Sequence, residues 1–115
     1  MKQTTTIVIR TQFNGCHRYA NAPEAVSYLR NPHRHVFYVE VEMSVTHEDR
    51  ELEFILVKNR LNEYLQSQPF EMEASCEHMA SAICLFLGKV YGTRREIKCC
   101  VYEDNENGGC VKYEY

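Results

Sequence analysis

The sequence predicts an α+β fold in which a four-stranded antiparallel sheet carries two helices on one face, in the order ββααββ. Three observations carry this. Residues 33 to 46 alternate strictly, with Phe37, Val39, Val41, Met43 and Val45 on one face and Arg34, Tyr38, Glu40, Glu42 and Ser44 on the other. From Ser75 onward, Met79, Ala80, Ile83, Cys84, Leu87 and Tyr91 recur at three- and four-residue steps, the stripe of an amphipathic helix. Residues 95 to 104 alternate again and are followed by the turn signal "NENGG" and a last segment, "CVKYEY".

The remaining elements fit between these. Residues 4 to 13 read as the first strand, with Ile7, Ile9 and Phe13 sharing one parity while Arg10 and Gln12 take the other. "NAPEAVSYLR" reads as a short helical turn, with Asn21 able to cap, Pro23 suited to a first turn and Glu24 near the helix start. "THEDR" is a polar turn, residues 51 to 54 a brief extended segment, and Ile55 to Leu65 a helix. The second helix has Ser75 as N-cap, Glu77 in its first turn and Gly92 as its stop. Consecutive strands separated by short turns pair antiparallel, and two helices on one face of such a sheet give a two-layer domain.

At 115 residues, without linker, repeat or low-complexity segment, the chain is read as one domain spanning 1–115. A formal net charge of -3 provides no basic footprint for nucleic acid or an anionic membrane. The start "MKQTTTIVIRTQF" lacks the layout of a secretion signal and no apolar run approaches spanning length, so the expected location is cytoplasmic and the expected state soluble. Six cysteines fall mostly inside regular elements and form no CxxC pair. A disulfide framework and a thiolate zinc knuckle are therefore the weaker readings, and most of the sulfurs are expected to be small buried hydrophobes.

The chemistry concentrates in the histidines. His33 and His35 share the odd parity of Phe37 to Val45, and so does His17 with Ile7, Ile9 and Phe13 if extended backbone continues through "NGCH". Antiparallel pairing of the first two strands then brings the end of one beside the start of the other, with all three imidazoles on the helix-facing side. Three neutral imidazoles at the edge of an apolar layer suit a zinc site with a fourth position for water or ligand. The bland alternative is a set of separately hydrogen-bonded core histidines. His47, in a charged turn, and His78, on the helix, do not join the group. Glu103 ends its strand on the parity of Ile97, Cys99 and Val101. An acceptor-only carboxylate at the margin of an apolar layer suits a flat heterocycle with two adjacent donors, although a solvated glutamate beside a turn is the plainer reading.

"FNGCHRY", "PHRHVFYVEVEM", "ELEFILVK", "ASCEHMA" and "VYEDNENGGCVKY" occur in the order and roughly the spacing of the tunnelling-fold pterin enzymes. Over nearly its whole length the chain resembles the 6-pyruvoyl- and 6-carboxy-tetrahydropterin synthases. The resemblance implies that His17, His33 and His35 bind zinc and that Glu103 receives the N–H groups of a pterin. It matches Glu53, Phe54 and Lys58 to the family's D-F-lysine pattern, and Ser75, Cys76 and Glu77 to its T-x-E helix start, which makes Ser75 and Glu77 candidate ligand-binding residues. It also implies a barrel-like homo-oligomer, a trimer or hexamer. The sheet's second face agrees, since Val8, Val36, Tyr38 and Tyr102 mixed with Arg10, Arg34, Glu40, Glu42 and Lys98 are too apolar for a free surface and too charged for a dry core.

The chain departs from the synthases where proton transfer is concerned. Arg18 to Pro32 contain no cysteine, and "NEYLQSQPFEMEA" holds neither the histidine nor the aspartate of the family's catalytic pair. The catalytic residues are thus unknown, and whether the chain is an enzyme is open. The first reading is a zinc-containing protein that binds or sequesters a pterin or a purine nucleotide. The second is a synthase-like lyase with a substitute base, Glu24 or Cys16, and the third an oligomeric scaffold with structural histidines. Arg18, Arg30, Arg34 and Lys58 are available to phosphate but have surface solvation as the simpler explanation.

Overall fold

A computed structural model of the chain describes residues 1–114. Its elements are β1 (Thr5–His17), a 3-10 segment (Glu24–Arg30), β2 (His33–Val45), α1 (Phe54–Gln66), α2 (Cys76–Tyr91), β3 (Ile97–Glu103) and β4 (Gly108–Tyr113). The four strands form one antiparallel sheet in sequence order, so the expected α+β arrangement holds. The odd-parity residues of the strands point at the helices. Phe37, Val39, Val41, Met43, Ile97 and Val101 pack into one core with Val57, Leu61, Met79, Ile83 and Leu87. Helix α1 lies over β1, while α2 lies over β3 and β4. Tyr64 and Phe86 stack with ring centroids 4.2 Å apart and close the seam between the helices.

Several boundaries differ from the expectation, each for a local reason. β1 runs four residues past Phe13, because Asn14 to His17 find partners in Val36 to His33 along a continuous ladder. The segment after it is 3-10 and irregular at Val26, and Asn21 does not cap it. Pro23 is the residue before the first helical position, and it has no side-chain acceptor to offer. Residues 51 and 52 form a bend rather than an extended segment, and α1 starts at Phe54, with the Glu53 carboxylate accepting from the Ile55 N–H at 3.2 Å. Ser75 caps α2 as expected, its hydroxyl accepting from the His78 N–H at 3.1 Å.

The β3–β4 turn falls on residues 104 to 107, where Asp104 and Asn105 take left-handed φ values of 52° and 59°, rather than on the glycine pair. Gly108 and Gly109 instead open β4, and both are needed for close approach. A Cβ on Gly108 would strike the Val101 carbonyl and the Tyr102 backbone, and one on Gly109 would come within 2.6 Å of Glu77 Cγ. The last residue of the expected strand, Tyr115, lies outside the described residues.

The cysteines divide. Cys76, Cys84 and Cys99 are buried and Cys16 is an exposed thiol, while Cys100 and Cys110 form a disulfide on the sheet face away from the helices. These two expected hydrophobes are joined because the strand register sets them directly opposite one another. No helix is long and apolar enough to cross a membrane among the described residues.

At the far end of the sheet, Arg95 ties the loop after β2 to the start of β3. Its guanidinium donates to the Ser44 carbonyl and to Glu51 Oε2, both at 3.0 Å, and Glu51 Oε1 accepts from the Thr46 N–H at 2.8 Å. The Arg95 hydrogen bond, followed by that of Thr46, lowers the Glu51 carboxyl from 4.5 to about 2. A carboxyl lowered by folding stabilises the fold above its unfolded value and loses that contribution as pH falls through the folded one. The staple should therefore act fully above about pH 4.5 and weaken progressively towards pH 2. Glu51→Gln is expected to flatten the acid limb of the stability curve in that window while leaving the neutral region nearly parallel to wild type. Denaturant midpoints measured across the window check it, and superimposable acid limbs would refute it.

Candidate metal centre

The three histidines and the glutamate singled out above meet at one end of the sheet. His17 ends β1, His33 and His35 open β2, and Glu103 ends β3. The register places His17 opposite His33, Gly15 opposite His35, and Phe37 between Phe13 and Glu103. Because side chains alternate along a strand, all four point to the helix-facing side, over the ring of Phe37. Gly15 is the silent contributor. A Cβ there would lie 2.8 Å from the Phe37 ring, so any side chain would push the floor of the site out of place. The imidazole centroids are 4.6 Å (His17–His33), 5.0 Å (His33–His35) and 5.3 Å (His17–His35) apart.

Each ring is held by its Nδ1. His17 Nδ1 lies 2.9 Å from the carbonyl of Ala74, in the turn before α2, and His33 Nδ1 lies 2.9 Å from the Asn31 carbonyl. His35 Nδ1 lies 2.7 Å from Asp104 Oδ2. Carbonyls and carboxylates only accept, so in the neutral rings Nδ1 of His33 and of His35 carries the proton and Nε2 presents a lone pair; His17 has an acceptor at each nitrogen, and with its proton on Nδ1 all three Nε2 atoms present lone pairs. Those lone pairs face one another and Glu103. Glu103 Oε2 is 2.9 Å from His17 Nε2 and 3.1 Å from His35 Nε2. His35 Nε2 is sealed from solvent and makes no hydrogen bond, so despite the short distance it is misaligned with the carboxylate.

With the His17 proton on Nδ1, four acceptors converge without a donor and repel unless a positive charge sits among them. The donor atoms of His17, His33, His35 and Glu103 all lie within 4.8 Å of one another, so the group could hold a metal ion. The chemistry of the set fits, since four-coordinate ions of the zinc type bind imidazole and carboxylate at about 2.0–2.2 Å, with donors about 3.3 Å apart. The partners on Nδ1 are those that orient metal-binding histidines in general. His47 and His78 stand outside the group, as expected.

Asp104, which the sequence did not single out, is the partner of His35 at this centre. Its left-handed backbone continues the ladder past the end of β3: its N–H donates to the Val36 carbonyl at 2.8 Å, and its Oδ1 accepts from the Val36 N–H at 3.0 Å. The His35 hydrogen bond first, then that of Val36, holds its carboxyl below the usual range. Asp104→Asn keeps shape and the Val36 contact but turns an NH2 towards His35 Nδ1. That drives the ring proton to Nε2 and blocks the lone pair. Metal affinity is expected to fall about 10–100-fold, as for other partners of metal-binding histidines. Competition against a chromophoric chelator measures it, and an unchanged affinity would rule the role out. The signal available in the sequence was an acid one residue beyond a strand end in a turn, a common pattern with no specific meaning.

The centre opens on a cleft of about 540 Å³. His17, His33 and Glu103 form one wall, and Ser75, Cys76 and Glu77 at the start of α2 form another, so the structure brings the two α2 candidates to the same place. Ser75 is engaged as the helix cap, and Glu77 packs beside Gly109. Burial, then the charges of Glu103 and Glu77, pushes the Cys76 thiol up to about 12, so it remains protonated at neutral pH. Neither Cys16 nor Glu24 lines the cleft. Arg18 does, paired with Glu73, whereas Arg30 is bonded to the Ala22 carbonyl. Arg34 and His35 line a second cavity, together with Cys16 and Asp104.

No protein-family model matches the chain, and no curated protein matches it.

Proposed function

We propose that the chain is a zinc-binding member of the tunnelling-fold group, similar to the 6-pyruvoyl- and 6-carboxy-tetrahydropterin synthases, that binds a pterin or purine-type heterocycle rather than turning it over. The observation that carries this reading is the convergence of His17, His33, His35 and Glu103 on one point beside the cleft, with every Nδ1 already engaged. When bound, the ion supplies a positive charge that reconciles four facing acceptors. The cleft wall formed by Ser75, Glu77 and Glu103 offers acceptors to a planar ring edged with N–H donors.

Binding is favoured over catalysis because the substitute bases that the sequence offers do not line the cleft. Proton transfer requires a group of suitable pKa within reach of the substrate. Cys76 is held protonated, and the two substitute bases, Cys16 and Glu24, lie elsewhere. A ring-shaped homo-oligomer, a trimer or hexamer, belongs to the same proposal. Val8 stands exposed on the sheet face away from the helices, and among the described residues β1 and β4 are the outer strands of the sheet.

Metal analysis and native mass spectrometry on zinc-exposed, dialysed protein test the proposal, with calorimetric titration of neopterin and guanosine. The expected result is one zinc per chain, a ring-sized assembly and saturable binding of at least one of the two. A chain that retains no metal would overturn the zinc reading, and failure of both compounds to bind would overturn the heterocycle.

A further inference from the structure

Glu103 occupies two places at once. It is within reach of the imidazole nitrogens of the candidate metal centre, and it forms part of the cleft wall. We propose that its carboxylate is a displaceable fourth metal ligand, which closes the centre in the free protein and must be drawn off by any cleft ligand that takes its oxygens. Metal closure and ligand binding are then coupled through one side chain. The inference rests on the metal and heterocycle reading above and adds its regulation.

Three features support exchange rather than a fixed role. The first is access. Side-chain exposure is 11% for His17 and 20% for His35, against 32% for Glu103, which is thus more open to solvent than either of these two imidazoles. The second is anchoring. His17, His33 and His35 are each pinned at Nδ1 by a group outside the cluster, whereas the Glu103 carboxylate bonds within it, to His17 Nε2, and the residue is otherwise fixed through its backbone, its N–H donating to the Asn107 carbonyl at 2.8 Å and its carbonyl accepting from the Glu106 N–H at 2.9 Å. Its carboxylate can rotate away without breaking the turn. The third is chemistry, because a carboxylate is an acceptor only, and either a cation or a pair of N–H donors satisfies it. A closed four-ligand site is the structural kind of centre, and one with an open position is the reactive or sensing kind. Glu103 decides between them.

Coupling of this kind is reciprocal: a ligand that draws Glu103 off weakens the hold on the ion by the same factor by which the ion weakens the ligand. The expected factor is about 5–150-fold.

Cobalt(II) in place of zinc makes the coordination visible. The intact chain and Glu103→Gln are loaded with cobalt, their visible spectra recorded, and neopterin or guanosine added; cobalt loss to a chelator is followed in parallel. The expected result is an intense four-coordinate spectrum for the wild type and a weaker, altered one for the variant. Ligand should move the wild-type spectrum towards that of the variant and speed metal loss, with no shift in the variant. Identical spectra for the two loaded proteins, or ligand binding to wild type without a spectral change, would overturn the inference and leave the metal reading standing. Cobalt uptake with no response because neither compound binds would overturn the exchange together with the heterocycle reading, and failure of the wild type to take up cobalt would overturn all three. Should Glu103→Gln not fold, as far-ultraviolet circular dichroism would show, the wild-type titration alone still decides the exchange.

Discussion

Phe37→Ala is expected to lower the unfolding free energy by about 3–5 kcal/mol, the range for deleting a buried phenylalanine ring. Phe37 has no solvent exposure and stacks on Phe13 at 5.2 Å, with the rings of His17 and His35 edge-on at 5.2 and 5.6 Å. Nothing nearby can refill the space cheaply, since Phe13 is already packed against Phe70, and Gly15 has no side chain to offer. The loss is therefore both transfer energy and cavity. Because the ring is the floor on which two imidazoles rest, metal uptake should weaken in the same variant. Phe37→Leu, which retains most of the volume, should lose less on both counts. Chemical denaturation read by circular dichroism checks the order, and a loss under about 1 kcal/mol for alanine would show that the floor is not packed as described.

His17→Ala should have the largest effect on metal binding. Four donors share roughly 10–16 kcal/mol of apparent zinc affinity in structural sites, about 3 kcal/mol each, so removing one is expected to weaken affinity on the order of a hundredfold. His17 is the most buried of the group and lies between the Ala74 carbonyl and Glu103. Its loss also strands the Ala74 carbonyl, a cost of about 1–3 kcal/mol in stability. His47→Ala is the matched control, because His47 stands in the turn after β2, outside the group. Competitive chelator titration of both variants separates the outcomes, and equal affinities would remove His17 from the centre.

What could be read in advance was whatever depends on period. The alternation from Phe37 to Val45 fixes which face of β2 is buried, and His33 and His35 inherit that face. The stripe from Met79 to Leu87 does the same for α2. The convergence of three histidines needed only parity and antiparallel neighbours. What could not be read depends on register and on approach distance, which no single segment encodes. Cys100 and Cys110 pair because the turn lies at residues 104 to 107. Gly108 and Gly109 resemble turn residues but serve strand-to-strand and strand-to-helix contact. Glu103 was legible as a carboxylate at the margin of the core, but not as a neighbour of the imidazoles. That depends on β3 ending opposite Phe37, two residues along β2 from His35. Asp104 owes its role to a left-handed backbone that composition does not announce.

The Cys100–Cys110 bond spans a separation of only ten residues, and the loop it closes contains both Glu103 and Asp104. Tethering so short a loop removes conformational freedom from the opened chain, worth about 2–3 kcal/mol on the entropy model. The practical result is a buckle on the smallest strand of the sheet, one that keeps two carboxylates in reach of the imidazoles even when neighbouring segments breathe. Thiol reagents that cleave it would leave every metal-facing atom in place and still shorten the time those atoms spend together.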